Sequence, residues 1–537
     1  MELLHRIRGY VVPTLIGLAV AFTALGLRVA PGFYWGLIFV GPLLIVAAYD
    51  RIQQGHSILR NYPVLGHLRF LLEGAGPEMH QYFVESNTSG RPFDRDHRSL
   101  MYERAKDIEA LKPFGTELDV YEPGYGFIGH SLSTRPMPDD PPRSLRVDVG
   151  GPDCRQPYSA SVINISAMSF GALSANAILA LNTAAQRGGF AHNTGEGGFS
   201  RYHREPGGDI IWQVGTGYFG CRDADGRFDR EMFAEQASRE QVKMVELKLS
   251  QGAKPGHGGV LPGIKVTPEI AEARRVPVGE DCLSPPGHSA FRTPIELMHF
   301  IATLREASSG KPVGFKICIG NPGEFFAICK AMLETGVTPD FITVDGAEGG
   351  TGAAPVEFSN HLGFPLREGL LLVHNALVGI GVRDRIKIAA SAKRFASYQI
   401  ASAMALGANW CNIARGFMFS VGCIQSQSCH TNRCPVGVAT QDARLQKALV
   451  VADKAQRALR FHQNTVKGLA EMTAACGLDH PNEFTPRHLY ERVSPHKIER
   501  FDRIYHFFPP GGLTAGEVPE RFEALWDEAR AERFGSA

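Results

Sequence analysis

The chain has 537 residues, 44% of them hydrophobic, and 56 basic against 55 acidic side chains leave a net charge of +1. That length accommodates one large barrel with additions, or more than one domain. The balanced charge excludes the basic footprint of a nucleic-acid-binding chain. Ten cysteines, scattered apart from three in one loop, fit reduced thiols rather than a disulfide framework.

Tyr10 to Leu27 is apolar apart from two threonines, and Phe33 to Ala48 is apolar again, with Arg28, Pro31 and Gly32 in the turn between them. Each run is near the lower end of the roughly 17–25 residues that span a bilayer as a helix. Pro13 and Pro42 lie inside the runs, where membrane helices tolerate them better than soluble ones do. His5, Arg6 and Arg8 on one flank and Asp50-Arg51 on the other favour a transmembrane hairpin over residues 1–50 with both ends in the cytoplasm. A signal peptide is the rival, but two successive runs without an A-x-A site argue against it.

Residues 51–150 read as a mixed segment that packs on the domain C-terminal to it, with short amphipathic helices over Ile58–Leu72 and Ser99–Leu111. Gly124–Gly129 and Gly215–Gly220 both match G-x-G-x-x-G. That motif holds a dinucleotide only between a strand and a helix, a setting neither stretch has. The chain is therefore expected not to bind a nicotinamide nucleotide.

From Ser161 onward, short β-branched runs alternate with helical patterns. The strands are expected at Ser161–Ser166, Phe190–Asn193, Ile210–Val214, Met244–Leu249, Val313–Ile317, Phe341–Val344, Ile386–Ala390 and Trp410–Ala414. Helices are expected at Ser174–Arg187, Glu231–Gln241, Pro294–Ala307, Glu324–Glu334, Glu368–Val378 and Ser397–Leu406. Eight such units make an α/β chain with a (β/α)8 TIM-type barrel, whose site is built by loops after the strand C-termini. Those loops carry Ala167-Met168-Ser169-Phe170-Gly171, Thr194-Gly-Glu196-Gly-Gly198, Lys248 to Gly259 and Asp345-Gly-Ala-Glu348-Gly349-Gly350-Thr351, while Lys316 lies within strand five. Glycines let the backbone approach a phosphate or a flat ring closely. Lysines can counter the charge of a reduced flavin or bind a dicarboxylate.

Cys423, Cys429 and Cys434 form a C-x5-C-x4-C pattern closed by Pro435. Thiolates select zinc, copper(I) or iron–sulfur clusters, and proline after the last cysteine is a feature of ferredoxin-type cluster loops. Three cysteines suit a three-iron cluster, zinc with His430 as fourth ligand, or simply a loop of reduced thiols.

Ser166–Ser174, Asn193–Gly198, Gln251–Gly256, Leu261–Thr267, Ser284–Pro286, Gly349–Ala354 and the cysteine loop occur in that order. Together they resemble the FMN-binding synthase domain of glutamate synthase over roughly Ser161 to Gln441. The whole chain, hairpin included, resembles stand-alone FMN-binding glutamate synthase family proteins. The resemblance implies a barrel carrying FMN and a [3Fe-4S] cluster. Electrons would pass from cluster to flavin and then, as hydride, to 2-iminoglutarate made from 2-oxoglutarate and ammonia. Cys423, Cys429 and Cys434 would ligate the cluster; Met168 and Ser169 would line the flavin, with Lys316 beside its ring. Gln251, Lys254 and Arg274 match the 2-oxoglutarate carboxylate binders, and Lys248 is nearby. Glu196 matches a glutamate at the ammonia entry, where a carboxylate can handle protons of an incoming ammonium. The glycine-rich stretch Glu348, Gly349, Gly350 and Thr351 is assigned to the cofactor.

Several positions depart from the family pattern. The first cysteine is Cys154, so ammonia is expected from solution or a partner. Electrons are expected from an external donor such as ferredoxin or a reductase subunit. After strand seven the family's glycine-rich phosphate loop reads Ala389-Ala-Ser391-Ala-Lys393-Arg-Phe395, which leaves Ser391, Lys393 or the Ala414-Arg415-Gly416 turn to meet the phosphate. Val260 stands where a polar residue is frequent in the family. Two alternatives stand beside ammonia-dependent reductive amination: an N-methylglutamate synthase-like enzyme using another amine, or a membrane-bound electron carrier. The barrel with its cysteine loop is assigned to residues 151–441. A helical extension is assigned to residues 442–537, with helices over Leu445–Leu459, Phe461–Cys476, Phe484–Tyr490 and Glu517–Phe534.

Overall fold

The computed structural model describes residues 2–535. The chain divides into two compact units, one ending at Asp96 and the other beginning at His97.

In the first unit, α1 (Glu2–Arg28) and α2 (Trp35–Ile52) are joined by a 3-10 turn over Pro31–Tyr34. Small residues let the two helices meet: a Cβ on Gly36 would lie 2.7 Å from the Phe22 ring, and one on Gly26 would lie 2.6 Å from the Tyr34 ring. Two stretches here, Gly9–Arg28 and Pro31–Ile52, are long and apolar enough to cross a membrane, with mean hydropathies of 2.0 and 1.8. Beyond α2 the sequence suggested one helix over Ile58–Leu72, whereas two form, Ser57–Asn61 and Gly66–Met79. The break falls at Pro63-Val64, where Val64 adopts a left-handed φ of 64° and proline restricts the residue before it. Asp50, fully buried at the end of α2, holds this elbow by accepting from Val64 N and pairing with His67 Nε2, each at 2.8 Å.

The second unit is built on a closed parallel barrel of eight strands. They are β1 (Ile163–Ile165), β2 (His192–Asn193), β3 (Ile210–Val214), β4 (Val242–Lys248), β5 (Val313–Ile317), β6 (Phe341–Asp345), β7 (Lys387–Ser391) and β8 (Trp410–Ile413). Each pairs with its neighbours in sequence, and β8 returns to β1 with Ile413 opposite Ile165. These strands are buried on both faces, which is why they read as apolar runs rather than alternating ones. The eight expected runs are the eight barrel strands, β1 and β2 being shorter than expected.

Helices cover the outside. In α3 (Ala175–Gly188), Ser174 caps the first turn by accepting from Ala177 N, and Gly189 in the left-handed region ends it. In α4 (Pro268–Arg274), Thr267 caps Ile270 N and the proline occupies the first turn. Over the far C-terminal part, one 25-residue helix, α5 (Val451–Ala475), replaces the two expected. Nothing between Leu459 and Phe461 breaks it, and Ala455, Ala458, Phe461, His462, Thr465 and Leu469 keep one continuous buried face. The Phe190 and His462 rings stack at 4.0 Å across that face.

Phe484–Tyr490 is not a helix either. A 3-10 turn over Pro486–His488 leads into the strand Leu489–Ser494, which pairs antiparallel with Gly126–Ile128 and with Lys497–Arg500. The β-rich tail Leu-Tyr-Glu-Arg-Val decides this locally. The last helix is shorter than expected, Glu520–Glu528. Gly124–Gly129 therefore lies at a sheet edge, and Gly215–Gly220 is a turn after β3 that does not open a helix, the next one being Arg230–Ala237. Neither has the strand–helix setting of a dinucleotide fingerprint.

Candidate active site at the barrel mouth

The charged side chains singled out in the sequence converge where the strands end. Glu196, in the loop after β2, faces the end of β4, and its Oε2 lies 3.0 Å from Lys248 Nζ. The other oxygen is close to the Gly259 backbone, where a Cβ would come within 2.6 Å of it. Burial alone would raise the Glu196 pKa, but Lys248, and then Arg274 and Lys254, hold it below the usual carboxylate range. Lys254 is buried, and burial lowers its pKa while Glu196 opposes that shift. Gln251 is half-buried in the same loop.

Arg274, at the end of α4, is 4% exposed and reaches back to the loop after β1. Its Nη2 donates to Phe170 O at 3.1 Å and to Ser169 Oγ at 3.3 Å, and its guanidinium sits 5.2 Å from the Phe219 ring centroid. Arg274 Nε has no hydrogen-bond partner among the described residues, an unspent donor beside the Glu196–Lys248 pair. His288 supports the floor: its ring nitrogens lie 2.8 Å from Lys248 O and 3.0 Å from Tyr218 OH, and burial lowers its pKa to about 4.

A second charged pair lies deeper. Lys316 Nζ on β5 is 3.0 Å from Asp345 Oδ2 on β6, both side chains 7% exposed. Burial would lower the Lys316 pKa, but Asp345, Glu246 and Glu196 together raise it, so the ammonium is charged. Asp345 Oδ2 also accepts from Gly252 N at 3.0 Å, drawing the loop after β4 over the barrel. A Cβ on Gly252 would collide with Gly346 O, so only glycine allows these two loops to approach. Below them Glu246 accepts from Asn193, Gln213 and Thr343 at 2.6–2.7 Å, which satisfies a carboxylate inside the barrel. The sequence named Asp345 only as the start of the glycine-rich loop after β6, with no role, and did not single out Glu246, because the partners of both acids come from neighbouring strands.

In the adjoining loop after β1, Met168 is buried and Ser169 lies under Gly195, whose Cβ would be 2.7 Å from Ser169 N. Gly195 takes a φ of 63°. Ser391, at the end of β7, is buried with its Oγ 3.2 Å from Ser166 Oγ. Arg415 donates to Glu348 O at 3.1 Å and packs so closely on Gly350 that a Cβ there would meet it at 2.8 Å. Burial lowers the Arg415 pKa to about 10. The Glu348 carboxylate is used locally, accepting from Leu366 N at 3.0 Å and pairing with Arg394 at 3.5 Å. Gly349 lies over Gly346 and beside Asp345. Thr351 is exposed, and its hydroxyl donates to Ala353 O within its own turn at 3.4 Å. Gly416 faces away from these groups, packed on Phe461 of α5.

The cysteine loop is clamped to the loop after β1. Gln441 Nε2 donates to Gly171 O at 3.1 Å and Leu173 O at 2.9 Å, and Ser174 N donates to Val438 O at 2.9 Å. Tyr102 donates to Cys423 O at 2.6 Å. Within the loop, Asn432 Oδ1 accepts from Gln441 N at 2.7 Å. Burial raises the Cys423 thiol to about 12, and Cys429 and Cys434 are near enough to add to that. Among the described residues no three His, Cys, Asp or Glu side chains converge on a single ion.

An eight-stranded parallel barrel with paired charges, close-packed glycine loops and a clamped thiol loop at its mouth is the layout of a TIM-barrel enzyme. A profile described as a conserved region in glutamate synthase matches residues 154–479. The glutamate synthase large subunit-like protein YerD of Bacillus subtilis is 38% identical over 517 residues, spanning 89% of this chain and 98% of YerD. The archaeal-type glutamate synthase (NADPH) of Thermotoga neapolitana is 36% identical over 318 residues, and the archaeal glutamate synthase (NADPH) of Archaeoglobus fulgidus 36% over 319. Those two alignments each span 59% of this chain and 59% of the relative. The chain belongs to the glutamate synthase family and is an oxidoreductase of that type.

Proposed function

We propose that this chain reductively aminates 2-oxoglutarate to glutamate, with FMN and a [3Fe-4S] cluster as cofactors. Ammonia comes from solution or a partner, and electrons from an external donor. The observation that carries the reading is the meeting of Glu196, Lys248, Lys254 and Arg274 at a mouth whose floor is the Lys316–Asp345 pair. Bound there, the flavin and the cluster supply hydride transfer and single-electron transfer respectively. Met168, Ser169, Gly349, Gly350, Ser391 and Arg415 would hold the flavin, and the three cysteines would hold the cluster.

The remaining chemistry belongs to the chain's own side chains. Lys254 and Arg274 present buried positive charge suited to the two carboxylates of a 2-oxo diacid, with Gln251 alongside. Glu196, ionised beside Lys248, attracts an incoming ammonium ion. Because it is held below the usual carboxylate range it is a weak base, so its main contribution is electrostatic. Lys316 places a fixed cation where a reduced flavin ring would carry negative charge. Turnover with 2-oxoglutarate and ammonium, compared with methylamine, tests the nitrogen source. Ammonium should be preferred by at least about tenfold in kcat/KM, and a preference for methylamine would move the reading to N-methylglutamate synthesis.

The two apolar N-terminal helices support a membrane anchor that leaves the barrel in the cytoplasm. The exposure of Val20, Leu27, Trp35, Ile38, Phe39 and Ile45 supports this, since apolar surface of that extent seeks lipid. The full chain should stay with membranes through an alkaline carbonate wash, and a chain beginning after Ile52 should be released. Release of both would contradict the anchor.

A further inference from the structure

Lys265 belongs to the Leu261–Thr267 motif and is 2% exposed. Its ammonium donates to Cys429 O at 2.8 Å and Ala439 O at 2.9 Å, and reaches Ala172 O at 3.5 Å. No Asp or Glu pairs with it among the described residues; its contacts are backbone carbonyls. A buried ammonium without an anion is unfavourable. Carbonyl dipoles solvate the cation but do not neutralise it. The adjoining site, by contrast, becomes anionic when three thiolates bind an iron–sulfur core, and gains one more negative charge on one-electron reduction.

We propose that Lys265 is the counter-charge of the cluster. Its ammonium fixes the ligand loop at Cys429 and Ala439, ties it to the loop after β1 at Ala172, and raises the cluster's reduction potential by favouring the more negative, reduced state. The inference rests on the cluster proposed for the three cysteines. Lys265 is a positioning residue, since it touches backbone carbonyls of the ligand loop and not the reacting atoms.

The test uses the full-length chain purified without oxygen, as wild type and as Lys265→Met, Lys265→Gln and Lys265→Arg. Each is titrated potentiometrically, with the oxidised cluster followed by electron paramagnetic resonance and flavin content measured alongside. Met and Gln should shift the oxidised-to-reduced ratio at a fixed potential about tenfold or more towards oxidised, 59 mV lower for a one-electron couple. Arg should stay within about threefold of wild type, and flavin content should be unchanged in all three. If neither neutral variant retains iron while Arg does, the requirement for charge appears as cluster retention and the proposal stands. An unshifted potential in Met and Gln, or an equal fall in Arg, overturns the role of Lys265 while leaving the cluster in place. A wild-type chain with no cluster signal after reconstitution overturns the cluster reading and this proposal together.

Discussion

Replacing Glu196 by Gln should lower kcat/KM for ammonium by about 10²–10³ and leave the KM for 2-oxoglutarate unchanged or lower. The split follows from the charges around it. Glu196 is the carboxylate facing Lys248 at 3.0 Å, and Lys254 and Arg274 also act on it. Without its charge the mouth keeps three cations, which favour a dianionic substrate and repel ammonium. Gln also keeps the size of the side chain, so the Gly259 backbone can still close against it. A variant losing affinity for both substrates alike would mean that Glu196 only holds the loop together. A variant with normal ammonium kinetics would remove it from the site.

Asp345→Asn should destabilise the barrel by about 3–5 kcal/mol, because it leaves a buried ammonium without its partner. Asn can still accept from Gly252 N, but Lys316 loses the carboxylate 3.0 Å away. The pH dependence identifies the cause. Asp345 and the acids near it raise the Lys316 pKa above its unfolded value, so the pair stabilises fully below the ordinary lysine pKa of about 10.4. That stabilisation is lost as pH rises through the higher folded value. The gap between wild type and variant in thermal or urea unfolding should therefore be constant across neutral pH and narrow only above about pH 10. A gap that is absent at neutral pH, or that opens only in alkali, would contradict the pairing.

The barrel was legible because its strands are short apolar runs bounded by glycine-rich loops and separated by capped helices. Ile210–Val214 and Val313–Ile317 form at the bounds the pattern indicates. The C-terminal region was less legible. Whether Leu459-Arg-Phe461 interrupts a helix depends on what α5 packs against, and Phe190 and Phe417, which receive it, lie far off in sequence. Charge pairing at the site was hidden for a similar reason. Glu196 and Lys248 each sit in a recognisable motif, but Asp345 gains its meaning only where β6 runs beside β5. Lys265 sits in a recognisable motif as well, yet its partners at positions 172, 429 and 439 are brought to it by the fold.

The most direct test of the central claim is anaerobic. The purified chain is reduced, and flavin absorbance is followed as 2-oxoglutarate and ammonium are added singly and then together. The account predicts a flavin that stays reduced with either compound alone and reoxidises when both are present, with glutamate formed in step. A flavin that stays reduced with both present, in protein that holds FMN and iron, would contradict reductive amination of 2-oxoglutarate by this chain.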